Sequence, residues 1–295
     1  MTNASQFSWL RAMPIVFVGI WSTGFIVARY GMPNSPPFAF LWLRFAFSIL
    51  CFLPWIWLSK VQWPSDKRQW LHLSITGVLM QAGYLGGVWS AVKGGMGSGL
   101  SALIVGLQPV LTAIWLSSQG GHVTGRQWQG LLLGFAGLSM VVSHKLEGGI
   151  EVTPFSLSMA LMALASITVG TLYQKQFVKP CDVRTASSVQ LMAAWVVTLP
   201  LAMIETEAIQ WNSQMLYAMA WSVLCLTLGG SSLFYLLIQR GAAASVTSLM
   251  YLVPPTTAVI ALVLFGETMT WTTLLGILVT ALGVSLVVRQ PKIGG

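Results

Sequence analysis

The chain alternates between long apolar segments and short polar stretches from one end to the other. A helix needs about 20 predominantly apolar residues to cross the hydrocarbon core of a bilayer. Because lipid offers the backbone no hydrogen-bond partners, such segments are expected to be helical. Ten segments approach this length: residues 12–31, 37–58, 70–91, 98–117, 127–143, 155–175, 186–204, 213–236, 243–264 and 271–288. The pattern predicts an all-α membrane protein with ten transmembrane helices.

Composition supports this prediction and limits the kinds of partner that the protein is expected to bind. Of the 295 residues, 55% are hydrophobic and 7% are charged, whereas soluble domains carry about 25% charged residues. The net charge is +8, but the basic residues stand singly in short loops. We therefore expect contact with the lipid bilayer and no binding of nucleic acid. Three scattered cysteines are too few for a disulfide framework or a metal site, so neither metal nor cofactor is expected.

Basic residues in the loops predict the orientation of the chain, because cytoplasmic loops of membrane proteins are enriched in lysine and arginine. If the N-terminus is cytoplasmic, Arg29, Lys93 and Lys145 fall outside. Eleven basic residues then fall inside: Arg11, Lys60, Lys67, Arg68, Arg126, Lys175, Lys179, Arg184, Arg240, Arg289 and Lys292. We expect a multi-pass protein of the inner (cytoplasmic) membrane with both termini in the cytoplasm.

The two halves of the chain match when one is shifted by 146 residues. Glycines and prolines that coincide include Gly24 with Gly170, Pro54 with Pro200, Gly83 with Gly229, Pro109 with Pro255, Gly130 with Gly276, and Gly137 with Gly283. We expect two repeats, residues 11–145 and 155–290, of five helices each. Since five is odd, the second repeat has the opposite orientation in the membrane. Inverted repeats of this kind are common in secondary transporters.

Three parts of the sequence carry a resemblance to a known family. They are FLWLRF at 40–45, SGLSALIVGLQPVLTAIW at 98–115 with its partner ASVTSLMYLVPPTTAVIAL at 244–262, and FGETMTWTTLLGILVTALGVSL at 265–286. Through them the chain resembles the drug/metabolite transporter superfamily, in particular its EamA-type bacterial members. The resemblance implies a ten-helix carrier of small metabolites, commonly amino acids or drugs, that often acts as an exporter. The first half departs from the pattern, with Gly121 at the position equivalent to Glu267.

Prolines within two predicted helices indicate a central cavity. Pro109 in the fourth helix and Pro254-Pro255 in the ninth cannot donate helix hydrogen bonds. The carbonyl groups four residues earlier then lack helix partners, and such groups are tolerated at membrane depth only against protein or water. A kink that lines a cavity and a kink that only shapes packing both fit this pattern.

Polar residues at helical spacing mark one face of each of these helices. The two faces comprise Ser101, Val105, Gln108 and Thr112 in the fourth helix, and Thr247, Tyr251, Pro254 and Ala258 in the ninth. Because polar groups facing lipid are unfavourable, we expect both faces to point into the protein. Hydrogen bonding between helices is the alternative explanation.

Charged residues are further candidates. Arg29 and Lys175 occupy equivalent positions near opposite faces of the membrane. They are expected either to attract a substrate carboxylate or to extend to lipid headgroups. Arg44 lies about 10 Å into the second helix, where arginine is costly, and its repeat equivalent is Gln190. Arg44 either bonds neighbouring helices or contacts the substrate.

Aromatic residues complete the candidate site, although each also fits simple packing. The predicted substrate-binding residues are Trp21, Ser22, Arg44, Tyr84, Trp89, Gln108, Pro109, Tyr235, Tyr251 and Pro255. Small residues also allow helices to approach closely. Gly130, Gly134, Gly137, Gly276 and Gly283 therefore predict packing surfaces, either between the halves or between the protomers of a homodimer.

Features that the sequence lacks argue against several classes of function. No acidic residue lies near the middle of a predicted helix, so no buried proton relay is evident. No nucleotide-binding glycine loop is present, which argues against an ATP-driven pump. No paired acid and base groups or metal ligands mark an enzyme site, so no catalytic residue is predicted.

These observations together predict a secondary transporter. We expect it to move a small metabolite, an amino acid or a related compound, by alternating access in the direction of efflux. The alternatives within transport are carriers of a sugar, a nucleotide sugar or a drug. The alternatives outside transport are a membrane-embedded enzyme and a non-transporting receptor or assembly protein.

Overall fold

The computed structural model describes residues 3–118, 125–147, 152–239, 252–267 and 269–288. These residues form helices joined by short loops, and no strand occurs among them. The helices are α1 (Asn3–Gly31), α2 (Pro37–Leu58), α3 (Lys67–Gly77), α4 (Tyr84–Lys93), α5 (Ser98–Val105), α6 (Gln108–Ser118), α7 (Gly125–Glu147), α8 (Pro154–Phe177), α9 (Val183–Ile204), α10 (Ser213–Trp221), α11 (Ser232–Gln239), α12 (Val253–Phe265) and α13 (Trp271–Val288).

Several helices are long and apolar enough to cross a membrane. Within the described residues four reach the required length, namely Pro37–Leu58, Pro154–Phe177, Val183–Ile204 and the continuous helix Ser213–Leu236. Shorter apolar helices are Ser98–Thr112, Trp128–Val141, Val253–Phe265 and Trp271–Gly283. The all-helical, apolar fold is confirmed for this part of the chain, and the count of ten membrane spans stays a prediction.

Helix boundaries recur at the offset that relates the two halves of the sequence. α2 and α9 are both 22 residues long, and their first and last residues are each 146 positions apart. The helix that follows each of them also begins in the same way. Asp66 accepts from the backbone N–H of Arg68 at the start of α3, and its equivalent Asn212 accepts from that of Met215 at the start of α10. Because such caps satisfy an otherwise unpaired N–H, local sequence specifies where both helices begin.

Each half contains a π-helical segment in its third apolar helix. Val78–Gly83 joins α3 to α4, and Ser222–Ser231 joins α10 to α11. The two segments overlap when one is shifted by the repeat offset. The first packs against α8 and the second against α1, so the third helix of each half contacts the first helix of the other. Segments of this kind occur frequently at functional sites.

Equivalent helices pack against each other in antiparallel pairs. In the α2–α9 pair, Trp42 stacks on Trp195 with 5.4 Å between ring centres. Further along, the guanidinium carbon of Arg184 lies 5.4 Å from the ring centre of Trp55. The residue number rises along α2 while it falls along α9, so the two helices run in opposite directions. This is the arrangement that an inverted repeat requires.

Glycines bring α7 and α13 into close contact. A Cβ on Gly137 would lie 2.5 Å from the carbonyl oxygen of Gly276, and a Cβ on Gly283 would lie 2.6 Å from that of Gly130. The repeat offset relates Gly137 to Gly283 and Gly276 to Gly130, so the two contacts are equivalent. A two-fold axis between the halves requires this equivalence. The glycine surfaces predicted from the sequence therefore pack between the halves of one chain.

Aromatic side chains fill the interior beside α1, α2 and α4. Each of the largest is at most 2% exposed: Phe17, Phe25, Phe40, Phe45, Phe52 and Trp89. Within a membrane such contacts stabilise mainly through van der Waals packing, because lipid is as apolar as the side chains. The rings are therefore held in fixed positions next to the space between the halves.

Candidate functional site

A central cavity lies between the two halves of the helix bundle. Its walls come from α1, α2, α4 and the first π-helical segment on one side, and from α8, α9, α11 and the second π-helical segment on the other. The space between these walls is about 670 Å³, including any part open to the outside. Five predicted site residues line it: Trp21, Arg44, Tyr84, Trp89 and Tyr235.

Arg44 is the only charged side chain among the described residues that line this cavity. It is 2% exposed. Its Nε donates to Thr227 Oγ1 across 3.1 Å, which ties the guanidinium to the other half. The guanidinium carbon lies 5.9 Å from the centre of the Trp89 ring, within the range of a cation–π contact. No described residue accepts a hydrogen bond from Nη1, so part of the donor fork is buried without a partner.

Gln190, the repeat equivalent of Arg44, lines the same cavity from α9. It is 6% exposed. Its Nε2 has no hydrogen-bond acceptor in the described part of the chain. A buried polar group without a partner costs roughly 1–3 kcal/mol. A ligand that accepts hydrogen bonds at these two symmetry-related positions would recover that free energy.

Stacked aromatic rings form another part of the wall. Trp21 stacks on Tyr84 with 6.3 Å between ring centres and on Phe234 with 5.1 Å. Trp89 stacks on Phe40 with 4.4 Å. Stacking of this kind fixes the orientation of each ring. The cavity therefore presents rigid aromatic surfaces beside the guanidinium group.

Polar residues that sequence reasoning left out of the site also line the cavity. They are Gln81, Gln174, Gln190 and Ser231. The three glutamines are each at most 8% exposed. An uncharged amide inside an apolar segment is a weaker signal than an arginine, but it too is expected to face the protein interior. Gln81 is the clearest example, because it lies in the middle of the third apolar segment.

The fourth apolar segment is interrupted where a kink was predicted. α5 ends at Val105 and α6 begins at Gln108, so Pro109 occupies the first turn of a new helix. A missing N–H costs no helix hydrogen bond there. The prolines of α12 lie in its first turn in the same way. A Cβ on Gly106 would lie 2.8 Å from Pro254 Cγ, so the interruption in the first half contacts the start of α12.

Gln108 and Pro109 line a second, smaller pocket beside this interruption, and Trp21 borders both pockets. The space in the smaller pocket is about 240 Å³, including any part open to the outside. Nε2 of Gln108 donates to Thr171 Oγ1 across 3.0 Å, which links α6 to α8. The structure therefore gives Gln108 a contact between helices and places it next to the central cavity rather than in its wall.

The remaining predicted residues lie elsewhere. Ser22 is fully buried. Its Oγ donates to the carbonyl of Val18, 2.7 Å away, and its own carbonyl accepts from Thr257 Oγ1 at 3.2 Å. It therefore serves the contact between α1 and α12. Pro255 is part of the first turn of α12 and lines neither pocket. Tyr251 lies outside the described residues.

Carboxylates of the second half close one end of the bundle, here called the Glu267 end and defined by Arg29, Glu205 and Glu267. Glu267 Oε1 lies 2.7 Å from Nη1 of Arg29. The same oxygen accepts from the backbone N–H of Ser98, 2.9 Å away, at the start of α5. Arg29, for which the sequence left substrate attraction and extension to lipid headgroups open, is here paired with a protein carboxylate.

Glu205 makes a similar contact at the same end. It accepts from the backbone N–H groups of Phe38 at 3.0 Å and Ala39 at 2.8 Å, at the start of α2. Helix N-termini favour negative charge because their first N–H groups are unpaired and the helix dipole is positive there. Lys93 pairs with Glu207 nearby. Charge therefore joins the halves at several points of this end.

Neutral groups join the halves at the other end, here called the Gln69 end and defined by Gln69, His72 and Tyr173. Gln69 Nε2 donates to the carbonyl of Lys179 across 2.8 Å, and its Oε1 accepts from the N–H of Lys179 at 3.1 Å. The His72 ring lies 2.8 Å from the Tyr173 hydroxyl. Both contacts link the first half to the second without an ion pair.

Two inverted repeats packed around a central cavity are characteristic of membrane transporters. Comparison with known families agrees. The chain belongs to the EamA-like transporter family, whose model matches residues 12–143 and again residues 154–289. The family predicted from the sequence is thereby confirmed, and its name is that of a transporter rather than an enzyme.

Relatives from several bacteria carry similar names. The uncharacterized inner membrane transporter YedA of Escherichia coli (strain K12) is 25% identical over 252 residues, covering 85% of this chain and 81% of YedA. The uncharacterized transporter YvbV of Bacillus subtilis (strain 168) is 26% identical over 290 residues, covering 95% and 92%. The probable amino-acid metabolite efflux pump of Salmonella typhimurium (strain LT2) is 23% identical over 276 residues, covering 90% and 89%.

One solved crystal structure shares the fold, with a TM-score of 0.68 at 17% identity over 93% of this chain and 95% of that chain. The fold therefore extends beyond recognisable sequence similarity. Together with the apolar helices, these relatives identify the protein as a multi-pass membrane transporter of the inner-membrane type.

Proposed function

We propose that the protein is a secondary transporter that exports a small metabolite, an amino acid or a related compound, across the cytoplasmic membrane by alternating access. The observation that carries the proposal is the cavity between the inverted halves, lined by Arg44 from one half and by Gln190 at the equivalent position of the other. Because equivalent helices pack around one axis, the halves can exchange conformations and expose the cavity to either side.

The name of a relative supports the substrate class and the direction. A similar protein of Salmonella typhimurium is named a probable amino-acid metabolite efflux pump. The buried guanidinium of Arg44 suits the carboxylate that all amino acids and many related compounds carry. Aromatic walls suit an apolar side chain, so substrates with a large apolar group are favoured.

Transport by purified protein tests this proposal. Proteoliposomes are given a panel of labelled amino acids and amino-acid-derived acids, with and without a pH gradient. We expect saturable transport of at least one compound, and the effect of the gradient reports whether protons are coupled. If a folded preparation moves none of the panel but moves sugars or nucleosides, the substrate class proposed here is wrong.

A matched pair of variants tests whether the substrate passes through the central cavity during transport. Gly24 lines the cavity, whereas Gly19, on the same helix, is exposed and has no atom within 4 Å of an added Cβ. Gly24→Leu should remove most of the transport because its side chain fills the cavity, and Gly19→Leu should retain it. Equal transport by the two variants would place the route elsewhere.

The orientation of the chain is part of the same proposal, with both termini and the Gln69 end in the cytoplasm. Ser59 and Ser213 are exposed near the Gln69 end and the Glu267 end respectively. In a background lacking Cys51, Cys181 and Cys225, an impermeant maleimide applied to intact cells should label Ser213→Cys and spare Ser59→Cys. The reverse pattern would invert the predicted topology.

A further inference from the structure

We propose that the central cavity binds a small organic anion, a carboxylate of net charge −1 with an apolar or aromatic body, whose carboxylate is held by Arg44. The inference rests on the proposed transport function and narrows its substrate class. It favours acids related to amino acids but lacking a free amino group over the zwitterionic amino acids themselves.

The charge of the cavity is the first argument. Arginine stays protonated in proteins, and Arg44 is 2% exposed with no carboxylate paired to it among the described residues. No described acidic residue lines the cavity. A buried charge without a partner is strongly unfavourable. A monoanion makes the occupied cavity neutral, whereas a zwitterion leaves the net charge at +1.

The unpaired hydrogen-bonding groups are the second argument. Nη1 of Arg44 and Nε2 of Gln190 are both buried donors without acceptors in the described part of the structure. Thr227 holds the guanidinium through Nε, which leaves Nη1 to a ligand. A carboxylate has two oxygens and only accepts hydrogen bonds. It therefore matches two buried donors from residues that line the same cavity, while an ammonium group, which only donates, does not.

The aromatic walls are the third argument, since they define the rest of the ligand. Trp21 and Phe234 stack with 5.1 Å between ring centres, and Trp89 packs beside the guanidinium at 5.9 Å. Flat, rigid aromatic surfaces favour apolar or aromatic groups in contact with them. The site thus combines one anchoring cation with an apolar compartment.

Three probes with the same phenyl body test the charge preference. They are 3-phenylpropionate, phenylalanine and phenethylamine, an anion, a zwitterion and a cation, titrated calorimetrically into purified protein. We expect 3-phenylpropionate to bind at least about tenfold more tightly than phenylalanine, since the buried charge is then fully compensated. Phenethylamine should show no measurable binding. Equal affinities for anion and zwitterion, or no binding of the anion by folded protein, would overturn the proposal.

Variants of Arg44 test the residue itself. Arg44→Gln should weaken 3-phenylpropionate binding at least about thirtyfold, because truncation removes one partner of a buried charge pair. Arg44→Lys keeps the charge but loses the planar fork, so roughly a tenfold loss is expected. Arg184→Gln, which removes an arginine that pairs with Asp182 outside the cavity, is the matched control and should bind like the unaltered protein.

The outcomes separate this inference from the proposed function. Monodisperse elution of each variant establishes that it is folded. If Arg44→Gln binds the anion as tightly as the unaltered protein does, Arg44 is not the anion site. If proteoliposomes still transport amino acids in that case, the carrier function stands while the anion proposal falls. If no compound is transported but the anion binds through Arg44, the site stands and the carrier function falls.

Discussion

The Glu267 end joins the two halves through carboxylates, while the Gln69 end joins them through neutral hydrogen bonds. Glu267 and Glu205, both from the second half, reach the N-termini of α5 and α2 in the first half. At the Gln69 end, an amide side chain pairs with a loop backbone and a histidine with a tyrosine. Charge-assisted hydrogen bonds are roughly twice as strong as neutral ones, so the Glu267 end is closed more firmly.

The difference shows that two halves with the same fold can be joined by different contacts at the two ends of the bundle. In the sequence, the offset of 146 residues makes Glu267 equivalent to Gly121, Glu205 to Ser59 and Gln69 to Met215. None of these equivalents carries a carboxylate or an amide side chain. If the halves exchange conformations during transport, the state open at the Glu267 end and the state open at the Gln69 end must therefore differ in free energy. Substitutions in the contacts that close each end should change that difference.

Glu267→Gln should produce the largest change. It removes the ion pair with Arg29 and weakens the contact with Ser98. One lost charge-assisted hydrogen bond is enough to shift the equilibrium about tenfold toward opening at this end. In a background lacking Cys51, Cys181 and Cys225, the reporter is Ser231→Cys in the cavity wall. Its rate of labelling by an impermeant maleimide from the Glu267 side should rise accordingly.

Glu205→Gln is the matched control for that substitution. Glu205 also caps a helix N-terminus, but it joins α2 to the end of α9, and these helices pack along their length at the axis between the halves. Labelling of Ser231→Cys should therefore change much less. If the two substitutions change the labelling rate equally, any loss of negative charge at this end promotes opening, and Glu267 has no specific role.

Gln69→Leu should produce a smaller change at the opposite end. It removes two neutral hydrogen bonds to Lys179, each worth about 0.5–1.5 kcal/mol net. Water can reach the freed backbone groups once this end opens, which limits the effect. Labelling of Ser231→Cys from the Gln69 side should increase about two- to fivefold. An increase larger than the one caused by Glu267→Gln would reverse the ranking of the two closures.

Much of the fold follows from sequence alone, because it depends on local and periodic information. Apolar segment length predicts helices, and a constant offset of glycines and prolines predicts the repeat that the boundaries of α2 and α9 reproduce. Charged Arg44 was placed in the site because lipid so strongly disfavours arginine. Trp21, Tyr84, Trp89 and Tyr235 were placed there as aromatics, and all of them line the cavity.

Other features depend on packing between distant segments and escaped prediction. The π-helical segments arise within apolar helices that show no local signal for them. The pairing of Arg29 with Glu267 spans 238 positions, so the sequence predicted substrate attraction or contact with lipid headgroups and not this ion pair. Ser22 was predicted to line the site, but it contacts α12, which lies far away in the sequence.

The glycine contact between α7 and α13 has the form of an isologous interface. Gly137 meets Gly276 while Gly283 meets Gly130, so each half offers the same surface to the other, as the subunits of a two-fold dimer do. In these terms the two halves of the chain pack against each other as the subunits of a dimer do. A substitution at this seam therefore acts on both subunits of that dimer at once, although only one residue has changed.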